Sequence, residues 1–288
     1  MKLEFKKIST ITNIQKKTEV VNFSVSKNEN YFANGILTHN CYMKRHKPVG
    51  LDVAKNTMDI LTEINNHCMF SVVNKPNQTH SNYITYDISC NEDFALHAKY
   101  HEWKKIFDFF KQHPIAMGSF ATKYVNVNLI NYNPEGKIRI RFSLMPQSIS
   151  DKLEPNTSKI IDRIKAIDAF IDAGYDVHIN FSPIVVYDDW LTDYENLFHL
   201  VDTYVDYKDV VKCEVIFLTH NKDKHKYNIL NELSGEELLW TPNIQESKIS
   251  QYGGDNIRYK HHLKSDFINS FIKLHDKVIP WNTIRYIF

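Results

Sequence analysis

A histidine, an asparagine and a cysteine follow one another near the start of this chain, as His39, Asn40 and Cys41. A cysteine thiolate is a nucleophile, and the pKa of a free cysteine is near ~8.5. An asparagine amide can attack its own backbone carbonyl, which closes a succinimide and cuts the chain after that residue. Imidazole titrates near neutrality and serves as general acid or base. Residues of these types could therefore carry out an acyl transfer to the thiol of Cys41 and a cleavage after Asn40.

The residues before this tripeptide alternate between apolar and polar side chains. The alternation predicts two strands, at residues 21–25 and 31–40, around a turn at residues 27–30. Strands that end in His-Asn-Cys resemble the C-terminal splice junction of an intein. The resemblance implies that residues 1–40 are a small β-rich C-terminal split-intein fragment. Because Cys41 follows Met1 so closely, we expect the N-terminal fragment on a separate partner chain that acts in trans.

Two residues of this segment depart from the pattern common in inteins. Asn22 stands where many inteins have aspartate, and Glu29 stands where many have histidine. Both positions usually assist splicing, so these departures bear on its rate. The alternative for the tripeptide is a chance occurrence in a loop.

Composition limits the class of protein. The chain has 288 residues, 43% of them hydrophobic, which predicts one main domain with a substantial core and one small domain. No apolar run approaches the ~20 residues of a membrane span, and the first residues lack the apolar segment of a signal peptide. We therefore expect no membrane partner and a cytoplasmic location. The net charge of +1 creates no strong overall field, so any nucleic acid would bind through local patches.

Beyond Cys41, predicted helices and strands alternate. The helices are predicted at 53–66, 97–111, 157–173 and 188–205, and the strands at 83–89, 115–124, 137–144, 176–184 and 210–218. This α/β alternation predicts a parallel sheet, open or closed into a barrel, with ligands at the carboxyl ends of its strands. Polar or thiol side chains fall at or near those ends, at Cys90, Lys123, Ser143 and Ser182. The charged segment 221–228 is predicted to be a solvated loop.

Short sequences in a fixed order from Cys41 to the C terminus resemble the spore photoproduct lyase family of radical S-adenosylmethionine (radical SAM) enzymes. They include Cys41-Tyr42-Met43, the run around Cys90, Phe120-Ala121-Thr122-Lys123-Tyr124, Arg139-Ile140-Arg141-Phe142-Ser143-Leu144, Glu154-Pro155-Asn156-Thr157 and Ser182-Pro183-Ile184. The resemblance implies an incomplete radical-SAM-type partial (β/α) barrel over residues 41–288 that lacks its N-terminal part.

The resemblance also implies an activity, which is reversal of the spore photoproduct thymine dimer in DNA. Its cofactors are a [4Fe–4S] cluster held by three cysteines and S-adenosylmethionine, whose reductive cleavage gives a 5′-deoxyadenosyl radical. Cys41 matches only the third cluster cysteine. The other two would come from the partner chain, and splicing would bring them into register. Cys41 would then serve first as splicing nucleophile and later as metal ligand.

The remaining site residues are implied by the same resemblance. Cys90 matches the cysteine that returns a hydrogen atom to the product, and Tyr42 and Tyr252 match tyrosines that pass the radical back. S-Adenosylmethionine would contact Lys123, Ser143 and Ser182. The lesion would leave the base stack, and its phosphates would bind Arg258 and Lys260.

Without the resemblance, the same residues have simpler explanations. Cys90 fits a buried thiol, since free cysteines are often buried, and Tyr252 is one of 16 tyrosines. Gln251 stands where the family commonly has arginine. Two alternatives therefore stay open: a radical SAM enzyme with another substrate, and a non-enzymatic remnant that assembles no cluster.

Overall fold

The computed structural model describes residues 56–70, 80–88, 93–249 and 255–288, together with the backbone of three short strands between residues 24 and 39. The strands are β1 Ser24–Val25, β2 Asn30–Ala33, β3 Ile36–His39, β4 Ile84–Asp87, β5 Ala116–Thr122, β6 Ile138–Ser143, β7 Asp176–Ile184, β8 Lys212–Phe217, β9 Thr219–Asn221, β10 Gln245–Ile249, β11 Asp255–Tyr259 and β12 Thr283–Ile287. The helices are α1 Thr57–Phe70, α2 Phe94–His97, α3 Trp103–Gln112, α4 Val127–Ile130, α5 Gln147–Leu153, α6 Ile160–Asp172, α7 Trp190–Tyr204, α8 Lys222–Leu230, α9 Glu236–Leu239 and α10 His261–Val278.

The main sheet has the order β12-β8-β7-β6-β5-β4-β1-β2-β3. From β12 to β4 every neighbouring pair is parallel, and this part curls into a half-barrel. A smaller antiparallel sheet has the order β10-β11-β9. The predicted α/β class and partial barrel are therefore confirmed. None of the helices in the described residues is long and apolar enough to cross a membrane.

Helices cover one face of the half-barrel with aromatic side chains. On β6, Phe142 packs against Phe170 of α6, with ring centroids 5.4 Å apart. On β7, Phe181 packs against Phe198 of α7 in the same way. Successive side chains of a strand point to opposite faces of the sheet. The residues next to Phe142 in β6 and next to Phe181 in β7 therefore point to the concave face.

Helix α3 lies so close to β5 that the strand carries a glycine there. A Cβ atom at Gly118 would come within 2.9 Å of Phe110 of α3 and of Ile138 of β6. A larger residue at this position would push the helix away from the sheet. At the far end of α6, Gly174 has a φ of +92°, so it ends the helix where the sequence predicts.

The prediction of a solvated loop at residues 221–228 is wrong. Residues 222–230 form helix α8 and not a solvated loop. The charged sequence gives little sign of a buried face, but His225 and Asn228 both hydrogen-bond to Glu236 of α9. Tertiary contacts therefore stabilise a helix that local propensity does not specify.

The strands near the N terminus continue the main sheet. Val25 of β1 lies opposite Asn30 of β2, as expected for two strands around a turn at 27–30. The second predicted strand is in fact two, because β2 pairs with β3 and places Ala33 opposite Ile36. Between them lies Asn34-Gly35, a pair that favours a two-residue hairpin. β1 also pairs antiparallel with β4, so this segment lies at the edge of the half-barrel. The proposed boundary after residue 40 stays a prediction.

Candidate active site

The concave face of the half-barrel is polar. Its central strands place charged, amide and hydroxyl side chains there, at Arg139, Arg141 and Ser143 of β6, His178, Asn180 and Ser182 of β7, and Glu214 of β8. Most of these side chains are buried. Buried polar groups need hydrogen-bond or ion-pair partners. The stability of the concave face therefore depends on the contacts that these side chains make with one another.

Arg141 joins strands that are not neighbours in the sheet. Its guanidinium donates to Asp87 of β4 at 2.6 Å and to Glu214 of β8 at 3.5 Å. One strand separates β6 from each partner, and adjacent strands lie about 4.8 Å apart, so only a long side chain on a concave face spans both gaps. Burial opposes the charge of Arg141, but the two carboxylates outweigh it and raise the pKa of the guanidinium.

Glu214 is the centre of this charge network. Arg285 Nη1 donates to its Oε1 at 2.5 Å, and the Tyr286 hydroxyl donates to its Oε2 at 2.6 Å. Adjacent residues of a strand normally point to opposite faces, but the register of β12 against β8 shifts between Ile284 and Tyr286. This bulge lets Arg285 and Tyr286 reach the same carboxylate. Burial favours protonation of Glu214, but Arg141 and Arg285 outweigh it and lower the carboxyl pKa.

His178 extends the network toward Asp176 and is held neutral. Arg285 donates to His178 Nδ1 at 3.0 Å, so Nδ1 accepts, while Nε2 lies 3.1 Å from Asp176 Oδ1 and donates to it. Burial lowers the pKa of His178 from 6.5 to about 4, although Asp176 opposes the shift. The neutral imidazole is the form that can accept from Arg285 at Nδ1 while it donates to Asp176 from Nε2.

We expect this histidine to make stability depend on pH. The folded pKa lies below the unfolded one, so its contribution is present above pH 6.5 and is lost as pH falls toward about 4. The loss should reach about 3 kcal/mol. Urea unfolding at several pH values in this window should show a shallower pH dependence for His178→Gln than for the wild type. The exposed-site variant His199→Gln should keep the wild-type slope. Equal slopes for all three proteins would show that His178 has an ordinary pKa.

Ser143, Ser182 and Lys123 lie near the carboxyl ends of their strands, as predicted. Ser143 is the last residue of β6, Ser182 lies within β7, and Lys123 follows β5 directly. Asn180 Nδ2 donates to Ser143 Oγ at 3.4 Å. The other amide atom, Asn180 Oδ1, is buried and has no hydrogen-bond partner among the described residues. This acceptor is free to bind a donor from a ligand.

Lys123 is fixed by a buried ion pair behind it. Its Nζ lies 2.8 Å from Glu154 Oε1, and Glu154 Oε2 accepts from Arg163 Nη1 at 2.9 Å. Arg163 also donates to the backbone carbonyl of Ser143 at 2.8 Å. Burial favours protonation of Glu154, but Lys123 and Arg163 outweigh it and lower the carboxyl pKa. The pair therefore ties the end of β5 to the end of β6.

Asp93 joins the start of α2 to the end of β5. Its carboxylate accepts from Thr122 Oγ1 and from the backbone N–H of Lys123, both at 2.7 Å. It also caps α2 by accepting from the N–H of Leu96. Burial raises the pKa of Asp93, and these hydrogen bonds oppose the shift. Asp93 thereby anchors the start of α2 at the carboxyl end of β5.

Several predicted site residues lie outside the described residues. Of His39 only the strand backbone is described, and nothing is described for Asn40, Cys41, Tyr42, Cys90 and Tyr252. The predicted DNA contacts already have protein partners; Arg258 lies in β11, and Lys260 directly precedes α10. Arg258 of β11 pairs with Glu246 at 2.9 Å, and Lys260 donates to the Asn243 carbonyl at 2.8 Å.

The other two cysteines are structural thiols. Cys68 lies 3.1 Å from the Tyr86 hydroxyl, and Cys213 points away from the concave face toward His275 of α10. Burial raises the pKa of both thiols, so neither is a ready thiolate. The roles of Arg141, Glu214, Arg285 and Asp93 were not predicted. The alternation of Arg139 and Arg141 in a predicted strand was the one signal of a polar inner face.

Comparison with known proteins identifies the family. The family model described as spore photoproduct lyase matches residues 7–288. The chain belongs to the spore photoproduct lyase family. The match includes residues 7–40, the segment that resembles a C-terminal split-intein fragment.

Curated relatives within the family are spore photoproduct lyases of bacteria. The one from Clostridium acetobutylicum is 26% identical over 192 residues, which cover 64% of this chain and 54% of the relative. The one from Bacillus subtilis strain 168 is 29% identical over 119 residues, covering 41% of this chain and 35% of the relative. The matched region thus spans between about a third and about half of the length of these relatives.

Solved structures of spore photoproduct lyase share the fold. A complex with dinucleoside spore photoproduct has a TM-score of 0.74 at 21% identity, covering 93% of this chain and 79% of that one. A variant with bound AdoMet and the same dinucleoside has a TM-score of 0.69 at 19% identity, covering 82% of this chain and 68% of that one.

Proposed function

We propose that this chain forms part of a radical SAM DNA-repair lyase that reverses the spore photoproduct thymine dimer. The observation that carries the proposal is the family match, which runs from residue 7 to the last residue of the chain. Solved family members bind the dinucleoside lesion and AdoMet on the same fold. The polar concave face of the half-barrel offers the corresponding surface in this chain.

The residues at the carboxyl ends of β6 and β7 suit S-adenosylmethionine. Its amino acid part carries an ammonium and a carboxylate. The buried Asn180 Oδ1 can accept from the ammonium, and the hydroxyls of Ser143 and Ser182 can donate to the carboxylate. Lys123 adds a positive charge, and Glu154 already fixes its position.

The cysteines of this chain cannot complete a [4Fe–4S] site alone. Such a site needs three thiolates in this enzyme class. Of the four cysteines, Cys68 and Cys213 are buried in other contacts, which leaves Cys41 and Cys90. Cys90 is the proposed hydrogen donor, so we propose that Cys41 is one ligand and that two further cysteines come from sequence outside this chain.

When bound, the cluster and S-adenosylmethionine supply the carbon-centred radical chemistry that removes hydrogen from the lesion. The role of Cys90 is then to donate a hydrogen atom to the repaired base, since a thiol S–H bond is weak. Tyr42 and Tyr252 would return the radical, because a tyrosyl radical is stabilised by its ring. The concave network around Glu214 keeps the strands at fixed spacing while these residues act.

Binding of DNA would use Arg258 and Lys260 on phosphates. Both side chains already make contacts within the protein, to Glu246 and Asn243. The ion pair of Arg258 is partly exposed, so a phosphate can replace Glu246 at small cost. This contact would weaken as salt concentration rises.

The proposed source of the missing cysteines is protein splicing in trans. The order His39-Asn40-Cys41 after a strand supports it, because this order supplies the acid or base, the cyclising amide and the nucleophile. Proximity drives each step once the partner fragment has docked. The alternative is that residues 7–40 belong to the lyase fold itself, as the family match and the pairing of β1 with β4 allow.

One experiment tests both parts of this proposal. Protein purified from its natural source should yield a peptide, seen by mass spectrometry, that joins an upstream cysteine-containing sequence directly to Cys41-Tyr42-Met43. The joined protein, reconstituted with iron and sulfide without oxygen and supplied with S-adenosylmethionine and a one-electron reductant, should convert dinucleoside spore photoproduct to thymine units. Peptides that retain His39-Asn40-Cys41, with no joined form, would contradict splicing. A joined protein that leaves the lesion intact would contradict the substrate.

The role of Cys90 is tested in the same assay. Cys90→Ala should still consume the lesion, but most of the product should be misquenched adducts, because the hydrogen donor is missing. Cys68→Ala removes a thiol that faces Tyr86 and should leave the product pattern unchanged. Clean repair by Cys90→Ala would exclude Cys90 as the donor.

A further inference from the structure

Two histidines and a glutamate converge on one point beside the smaller sheet. His220 lies in β9, His225 in α8 and Glu236 at the start of α9. One ligand atom from each of them lies within 4.8 Å of the others. His220 Nε2 is 2.5 Å from Glu236 Oε1, and His225 Nδ1 is 2.6 Å from the same oxygen. Three potential ligand atoms thus face a common centre.

This arrangement has the chemistry of a zinc site. Two imidazole nitrogens and one carboxylate oxygen are a ligand set that proteins use for zinc with an open fourth position. Asn228 Nδ2 donates to Glu236 Oε2 at 2.8 Å, which orients the carboxylate and leaves Oε1 toward the histidines. His220 and Glu236 are buried, so their positions are fixed by packing.

A cavity opens beside the ligand set. Its volume is about 250 Å³, and both His225 and Glu236 line it. Trp240 forms part of an apolar wall, and Glu232 and Glu237 add two carboxylates near the rim. A cation bound by the three ligands would therefore have room for water or another small ligand on the cavity side.

We propose that His220, His225 and Glu236 bind one Zn²⁺ ion, with an exchangeable fourth ligand in the adjacent cavity. This site uses none of the residues assigned to the lyase, so it stands or fails independently of that function. The ligand atoms need to separate slightly from their present contacts, because zinc lies 2.0–2.2 Å from nitrogen and oxygen ligands. Partly exposed His225, on a short helix, has the freedom to make that adjustment.

Metal titration of the whole purified chain tests the site. After treatment with a chelator, the wild type should take up one tightly bound Zn²⁺ per chain in equilibrium dialysis. His225→Gln and Glu236→Gln should weaken this binding by more than ~100-fold, and Asn228→Ala by roughly 10-fold. His199→Gln removes an exposed histidine elsewhere and should bind as the wild type does. Cys41 is present in all these proteins, so binding to thiolates is the same in each.

A second measurement separates metal binding from folding. Co²⁺ in the site should give the intense visible bands of a low-symmetry four-coordinate ion in the wild type and in His199→Gln, but not in His225→Gln. Added Zn²⁺ should raise the melting temperature of the wild type and leave that of His225→Gln unchanged. Equal Zn²⁺ affinity in the wild type and His225→Gln would overturn the proposal, and so would a Co²⁺ spectrum of octahedral type.

Discussion

Replacing Arg163 by leucine should lower the free energy of unfolding by about 3–5 kcal/mol. The Arg163 side chain is fully buried and donates to Glu154, to the Ser143 carbonyl and to Thr157. Leucine removes all these donors, so Glu154 keeps its charge in the interior with Lys123 as its remaining cation. A buried carboxylate that loses one partner is costly, and this accounts for most of the expected loss.

Urea unfolding followed by circular dichroism measures this effect. The matched control is Lys277→Ala, which breaks an exposed ion pair with Glu195 and should cost less than about 1 kcal/mol. The double variant Arg163→Leu/Glu154→Leu should be more stable than Arg163→Leu alone, because it no longer buries a carboxylate that has lost one of its two cations. If Arg163→Leu cost as little as Lys277→Ala, the buried pair would have no structural role.

Replacing Glu214 by leucine should also lower the free energy of unfolding by about 3–5 kcal/mol. In this case the groups that lose their partner are positively charged. Glu214 is 1% exposed and is the carboxylate shared by Arg141 and Arg285. Without it, Arg141 keeps Asp87, whereas Arg285 loses its closest carboxylate next to the neutral His178. Two guanidinium groups would then share too little negative charge on the concave face.

The matched control for this change is Glu246→Leu in the smaller sheet. Glu246 also pairs with an arginine, Arg258, but both side chains are partly exposed, so the cost should stay below about 1 kcal/mol. The proposed function also predicts that the Glu214 variant loses affinity for S-adenosylmethionine, because the β6 and β7 strand ends that carry Ser143 and Ser182 depend on the same face. Wild-type stability in Glu214→Leu would show that solvent neutralises the two arginines.

The sequence predicts the order of the elements well and the ends of several helices less well. Apolar alternation located β5, β6, β7 and β8, because a strand buried on one face must place an apolar residue at every second position. The predicted helix at 97–111 is divided into α2, a 3₁₀ turn and α3, and α8 was missed. Helix ends depend on caps and tertiary contacts, which a hydrophobic period does not report.

Local sequence by itself indicated the family and the positions of Lys123 and Ser143 at strand ends. The acyl-transfer chemistry of His39, Asn40 and Cys41 stays a prediction. These follow from residue types over a few neighbouring positions, so they can be read along the chain. Only the tertiary structure decided that Arg141 joins Asp87 to Glu214, and that His220, His225 and Glu236 converge. Those partners are far apart in sequence, and they meet because the sheet curls and because α8 and α9 pack beside β9. The local sequence does not show which distant residues will meet, because burial and charge balance select these contacts only after the strands have assembled.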